Sequence, residues 1–419
     1  MFDPNKYRAD FPILSRYVND KPLIYLDNAA TSQKPKQVIE ALTEYYEQHN
    51  ANVHRGVHTL GDESTKLFHS SRQKIAEFFG AKAEELVAVR NTTEAVNQVC
   101  YTWGESRISA GDVIVLTELE HHSNLVPWQL LAQRKGARLE FIPVDEQGRV
   151  QWQRWLEQSA VLLPKVKLLA FSHVSNTLGT VIPLQEMIAA FRAKIKNLTV
   201  FVDGAQAAPH LKINFDAWSA DFYAVSAHKM LGPMGIGGLL VKKSVLETLQ
   251  PFLVGGGMID EVTLIKTTFA ADLEERFTPG TPDVAGLAGW AAACRYLDAI
   301  GMEQLAEHDQ SLVAYTLEQL QQLPQLKIIG PASPVSESSG LERVGSVAFL
   351  YAGVHAHDLG QVLDSEGIAV RSGHHCTMPL HEKYHWTAST RISFQLYNTR
   401  LEIDAAVAAL HTVEKVFGV

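Results

Sequence analysis

The chain has 419 residues, 46% of them apolar and 20% charged, which allows one large domain and a smaller one, each with its own core. Its formal charge is −9, so no broad basic field is available to hold nucleic acid or an anionic membrane. No apolar run reaches the roughly 20 residues needed to cross a bilayer. The opening MFDPNKYRADFPIL lacks the basic start and long apolar stretch of a secretory signal, and the expectation is a cytoplasmic protein.

In chain order, residues 1–20 form an N-terminal segment ahead of the strand-like LIYLD. Short β-branched runs then alternate with amphipathic stretches: LVAVR (86–90), VIVLT (113–117), KLLAFS (167–172), LTVFVD (198–203), DFYAVSA (221–227) and GGLLVKK (237–243). Runs that are apolar almost throughout indicate strands covered on both faces, and their alternation with helices predicts a mostly parallel α/β sheet in a large domain spanning 21–295. Ligands bind beyond the carboxyl ends of such strands. Five consecutive ends carry polar loops: NTTE, HHSN, SHVSN, DGAQ and SAHK. From 296 to 419 a long helical stretch, the strand GSVAFLY (345–351), a helix and further strands predict a smaller α+β domain. Within it, residues 323–345, rich in Pro, Ser and Gly, read as a surface loop.

The three cysteines, Cys100, Cys294 and Cys376, make neither a disulfide framework nor a Cys-x-x-Cys metal site. Cys100 and Cys294 lie in apolar helical runs and suit a core. Cys376, in RSGHHCTMPL, is either an incidental loop cysteine or an accessible reactive thiol.

Asp203, where VDGAQ leaves its strand, is either a turn former or a carboxylate aimed at a ligand. Lys229 in SAHKMLGP sits just past another strand end, where a lysine can lose its proton and bond an aldehyde. Pyridoxal phosphate needs both features, a lysine for its aldehyde and a carboxylate facing its pyridinium nitrogen. In VRNTTEAVN, Asn91 and Glu94 have capping-box spacing, and backbone amides with the Thr92 and Thr93 hydroxyls could grip a phosphate at the helix start. His122, beside a second histidine, is a candidate partner for the open face of the ring.

Taken in order, YLDNAATSQKP, NVHRGVHTL, LEHHSNLVPWQ, SHVSNTLGT, VDGAQAAPH, SAHKMLGPMGIG, GTPDVAG, RSGHHCTMPL and LYNT resemble the Suf-type (group II) cysteine desulfurases, fold-type I pyridoxal-phosphate enzymes related to selenocysteine lyases. The likeness runs from about Asp10 to the C-terminus. It implies that Lys229 bonds the cofactor, Asp203 faces the ring nitrogen, Gln206 bonds the ring hydroxyl and His122 stacks on the ring. It implies that Thr93, Ser226 and His228 hold the phosphate, with Thr281 reaching in from the other subunit of a homodimer. Asn176 and Arg391 would receive the substrate carboxylate, with Arg371 a second cation nearby. Cys376 would accept sulfur from L-cysteine as a persulfide, leaving alanine, with His122 handling the sulfur's proton. His374, His375 and Arg371 are expected to favour its thiolate. The persulfide would pass to a SufE- or SufU-like acceptor for iron–sulfur cluster assembly. No resident metal is expected. His355 and His357 read either as contacts for a zinc-bearing acceptor or as plain surface.

Two departures concern the turns. Asn91 stands where many relatives have glycine, and asparagine tolerates a left-handed backbone. DNAAT replaces the commoner DSAAT. Three rivals share the pattern in part: a selenocysteine lyase acting on L-selenocysteine, an aminotransferase or kynureninase-like enzyme needing no thiol at 376, and a non-catalytic scaffold.

Overall fold

In a computed structural model, residues 2–54, 56–336 and 340–418 are described. The six apolar runs become strands β1 (Leu86–Val89), β2 (Val113–Thr117), β4 (Val166–Ser172), β5 (Thr199–Asp203), β6 (Phe222–Ser226) and β7 (Gly237–Val241), joined by β3 (Arg138–Ile142). They form one seven-stranded sheet in the order β1-β7-β6-β5-β4-β2-β3. Only β7 runs against the rest, antiparallel to both β1 and β6. β2, β6 and β7 are buried at every position, which explains their unbroken apolar sequences. β3 carries no such signal because it lies at the sheet edge and exposes Arg138 and Phe141.

Alternate residues of β5 feed separate cores, Val200 and Val202 into one and Phe201 into the other, as the two-residue period of a strand requires. The helix α1 (Thr59–Phe78) packs against α3 (Val284–Ile300), while α2 (Thr92–Val99) follows β1 in the chain. Trp290 of α3 is fully buried. Truncating such a side chain costs about 3–5 kcal/mol. The division expected at 295/296 falls inside α3.

A second sheet is antiparallel, ordered β8-β9-β11-β10, from β8 (Leu326–Ile329), β9 (Ser346–Tyr351), β10 (Arg371–Gly373) and β11 (Ser389–Ser393). It has its own core, including Phe349, Phe394 and Leu410. The N-terminal strand-like segment belongs beside this sheet: Ile24–Tyr25 pairs in parallel with Ile368–Ala369, and Asp27 bridges to Ser393. The surface loop expected at 323–345 is corrected. It contains β8, and its Arg343 is fully buried, donating to the carbonyls of Ile329, Pro331 and Ser346. A guanidinium can be buried there because three carbonyl oxygens satisfy it. Residues 337–339 of that segment, and Arg55 of the NVHRGVHTL motif, lie outside the described residues. Among the described residues, no helix is long and apolar enough to cross a membrane.

Candidate active site

The carboxyl ends of β1, β2, β4, β5 and β6 open into one cavity of about 300 Å³, where a parallel sheet places its ligands. Asp203 ends β5 and Lys229 closes the short turn Ala227–Lys229 after β6; both line the cavity, with Gln206 between them in sequence. Burial lowers the Lys229 pKa to about 8, against the pull of Asp203. Burial also raises the Asp203 carboxyl above its usual range, partly offset by the Ala205 N–H donating to Oδ1 at 2.9 Å and by the Lys229 charge. The next residue has to be glycine, since a Cβ at Gly204 would sit 2.0 Å from the Tyr223 ring.

At the other end, Asn91 caps α2 by accepting the Glu94 N–H at 3.0 Å. The expected left-handed turn is corrected: Asn91 has φ −176°, an extended backbone open to any residue. Only half of the capping box forms, because the Glu94 carboxylate takes the Arg90 N–H instead of that of Asn91. The Thr92 N–H and hydroxyl both meet Ser226 Oγ, at 2.9 and 2.8 Å. Thr93, more exposed, pairs with Ser123 Oγ at 2.6 Å. Nδ1 of His228 is buried without a hydrogen-bond partner. Hydroxyl donors, an orphaned imidazole nitrogen and a helix N-terminus fit a phosphate; a lysine and a buried carboxylate across one cavity fit a pyridine aldehyde.

The histidine assignment is corrected. His121, and not His122, lines the cavity. Burial, then the charge of Lys229, pushes His121 down to about 3, so its imidazole is neutral. Its Nδ1 accepts the Ser123 N–H at 3.0 Å, leaving the proton on Nε2. His122 faces the thiol loop. Its backbone N–H donates to the Cys376 carbonyl at 2.9 Å, and its Nε2 accepts the Met378 N–H at 3.2 Å. Consecutive residues on a turn point apart, and sequence alone does not say which one enters the cavity.

The second sheet supplies Arg371 and Arg391, and the loop after β10 supplies His375 and Cys376, to the same cavity, which Asn176 also lines. Arg391, 2% exposed, donates through Nη1 to the Asn176 carbonyl at 2.6 Å and through Nη2 to Asp27 Oδ1 at 3.3 Å. Burial lowers its pKa to about 10. Asn176 Nδ2 donates to the His375 carbonyl at 2.6 Å. Asp27, part of the YLDNAATSQKP motif but given no role in the sequence reading, contacts both arginines.

Cys376 is exposed, while Cys100 and Cys294 are buried, and burial pushes both of those thiols up. The loop is strained: His375 and Cys376 both have left-handed backbones, φ +50° and +59°, each costing roughly 1–2 kcal/mol. His375, expected to favour the thiolate, brings no positive charge to it. Its Nε2 lies 3.1 Å from the Ser389 carbonyl, and burial with the nearby Arg391 charge pushes its pKa well down, so it is neutral. His374 Nε2 is 2.9 Å from the Thr387 carbonyl.

Thr281 is exposed and does not line the cavity of its own chain. His355 caps the helix Ala356–Ser365, its Nδ1 accepting the His357 N–H at 3.2 Å, and both rings are exposed.

The pattern of the aminotransferase class-V family matches residues 24–406. A cysteine desulfurase of Salmonella agona is 45% identical over 419 residues, covering 100% of both chains. The chain belongs to the cysteine desulfurases of this family. In structure, the desulfurase resembles the apo cysteine desulfurase of Thermococcus onnurineus, with a TM-score of 0.90, 37% identity and 99% of each chain covered. It also resembles an Escherichia coli cysteine desulfurase in its S-sulfonic acid form, at 0.88, 33% identity and 100% of each chain. Its cofactor is pyridoxal phosphate, which the donor set described above fits.

Proposed function

We propose that this cysteine desulfurase moves sulfur from free L-cysteine onto Cys376, releasing L-alanine, and that it is of the Suf type. The observation that carries the reading is one cavity whose wall holds Lys229, Asp203, Arg391 and the exposed Cys376 together.

Bound there, pyridoxal phosphate supplies an aldehyde for the amino group and an electron sink for the substrate carbon. Asp203 holds the proton at the ring nitrogen, while Gln206 stands by the ring. Thr92, Thr93, Ser226 and His228 grip the phosphate. Arg391, with Asn176, fixes the substrate carboxylate, which directs the side-chain sulfur toward Cys376. With a pKa near 8, the Lys229 amine is available as a base near neutral pH and takes the α-proton. Cys376 Sγ then attacks the substrate sulfur: an S–S bond forms, the C–S bond breaks, and its electron pair stays with the carbon fragment. That fragment takes a proton and leaves as alanine. His121 takes the stacking role expected of His122 and exchanges the sulfur's proton.

The exposed persulfide then passes to a SufE- or SufU-like acceptor, supplying iron–sulfur cluster assembly in the cytoplasm. A homodimer fits the exposure of Thr281 and of the apolar hairpin tip Leu264–Ile265, whose two side chains are almost wholly in solvent. The test is alanine and Cys376 persulfide from L-cysteine, with and without each acceptor. Alanine formation without a persulfide on residue 376 would sink the reading.

A further inference from the structure

Two guanidinium groups share this cavity, and one carboxylate stands between them. Arg371 Nε lies 3.1 and 3.2 Å from the two oxygens of Asp27, and its Nη2 lies 3.1 Å from Oδ2. Arg391 touches the same carboxylate through Nη2 alone, at 3.3 Å. Its Nε is buried with no hydrogen-bond partner. The Nε–Nη2 edge of Arg371 is therefore committed to Asp27, while Arg391 gives Asp27 a single contact and keeps its Nε unpartnered. Asp27 itself is pinned, since its backbone bridges to Ser393 and the adjoining Ile24–Tyr25 pairs with Ile368–Ala369.

Two free guanidiniums in one cavity would bind two carboxylates, because each fork matches a carboxylate in geometry and charge. L-Aspartate carries its second carboxylate at the position of the cysteine sulfur. It would be a natural competitor for a site with both arginines open. With Asp27 in place, that second carboxylate meets an arginine whose Nε–Nη2 edge is taken and whose charge is offset by a fixed carboxylate beside it, so specificity comes from an added penalty as well as an attraction.

We infer that Asp27 is a specificity-determining residue: by taking one edge of Arg371 and offsetting its charge, it leaves Arg391 as the carboxylate receptor and turns away amino acids with a second carboxylate. The inference rests on the proposed role of Arg391 as receptor for the substrate carboxylate. Asp27 acts through Arg371 and is a positioning residue.

The experiment titrates the holoenzyme with L-aspartate and with L-alanine, reading the change in its visible absorbance. The unaltered enzyme binds alanine at least tenfold more tightly than aspartate at pH 7. Asp27→Asn improves aspartate relative to alanine by tenfold or more, Asp27→Ser gives the same shift, and Asp27→Glu restores the original ratio. Adding Arg371→Met to Asp27→Asn removes the gain. Equal binding of the two ligands by the unaltered enzyme overturns the inference, with no variant needed. So does a ratio unmoved by Asp27→Asn, or a gain that survives without Arg371. Alanine production from L-cysteine is scored separately, so failure here leaves the desulfurase reading standing and failure there is recognised as such.

Discussion

Lys229 and Cys376 meet in one cavity but are held there by different means. Lys229 stands one turn beyond β6, within a sheet whose strands are buried on both faces, and its place follows from the backbone hydrogen bonds of that sheet. Cys376 stands on a strained loop, exposed, and held from outside by His122, by Asn176 and by the Thr177–Thr377 hydroxyl pair at 2.8 Å. A fixed base and a tethered thiol suit a reaction in which one step must be well aimed and the product must then be handed on.

The contrast can be broken most severely at its two centres. Lys229→Ala should lower alanine formation from cysteine by at least about 10³-fold, since a positioned base and the cofactor's bond are lost together. Cys376→Ala should lower it by roughly 10²-fold or more while sparing cleavage of L-selenocysteine, whose selenium leaves without a thiol. Comparable loss with both substrates would make Cys376 structural.

The histidine pair sharpens the comparison next. His121→Ala should reduce turnover by about 10²-fold and shift the holoenzyme's visible spectrum. His122→Ala should leave the spectrum alone and speed alkylation of Cys376 by releasing its loop; the reverse pattern would restore His122 to the ring.

A pH test follows from the Lys229 pKa of about 8, lowered by burial. Cofactor uptake by the apoenzyme needs the neutral amine, so its rate should rise about tenfold per pH unit up to pH 8 and level off above. An ordinary lysine would keep rising to about 10.4. The smallest effect is expected from Thr177→Val, which removes one loop tether and should cost about 1 kcal/mol of stability in denaturant unfolding.

Much of this was legible in the sequence where local chemistry decides the structure. β2 falls on VIVLT without adjustment, and Asp203 and Lys229 lie at strand ends as their buried runs predict. The edge strand β3 stayed hidden because its exposed face admits Arg and Glu. The choice between His121 and His122 depends on a turn geometry that adjacent identical residues do not encode. The pairing of Asp27, a residue of the DNAAT motif, was not legible for a simpler reason: its partners are Arg371 and Arg391, 344 and 364 positions away.

The tethers of the thiol loop also bear on engineering. Residues 372–378 take their shape from groups at 122, 176 and 177, which lie on the other sheet's loops. A segment transplanted from a relative would arrive without its moorings unless those three positions travelled with it. The unit of exchange between such enzymes is therefore a patch assembled from three distant stretches of chain.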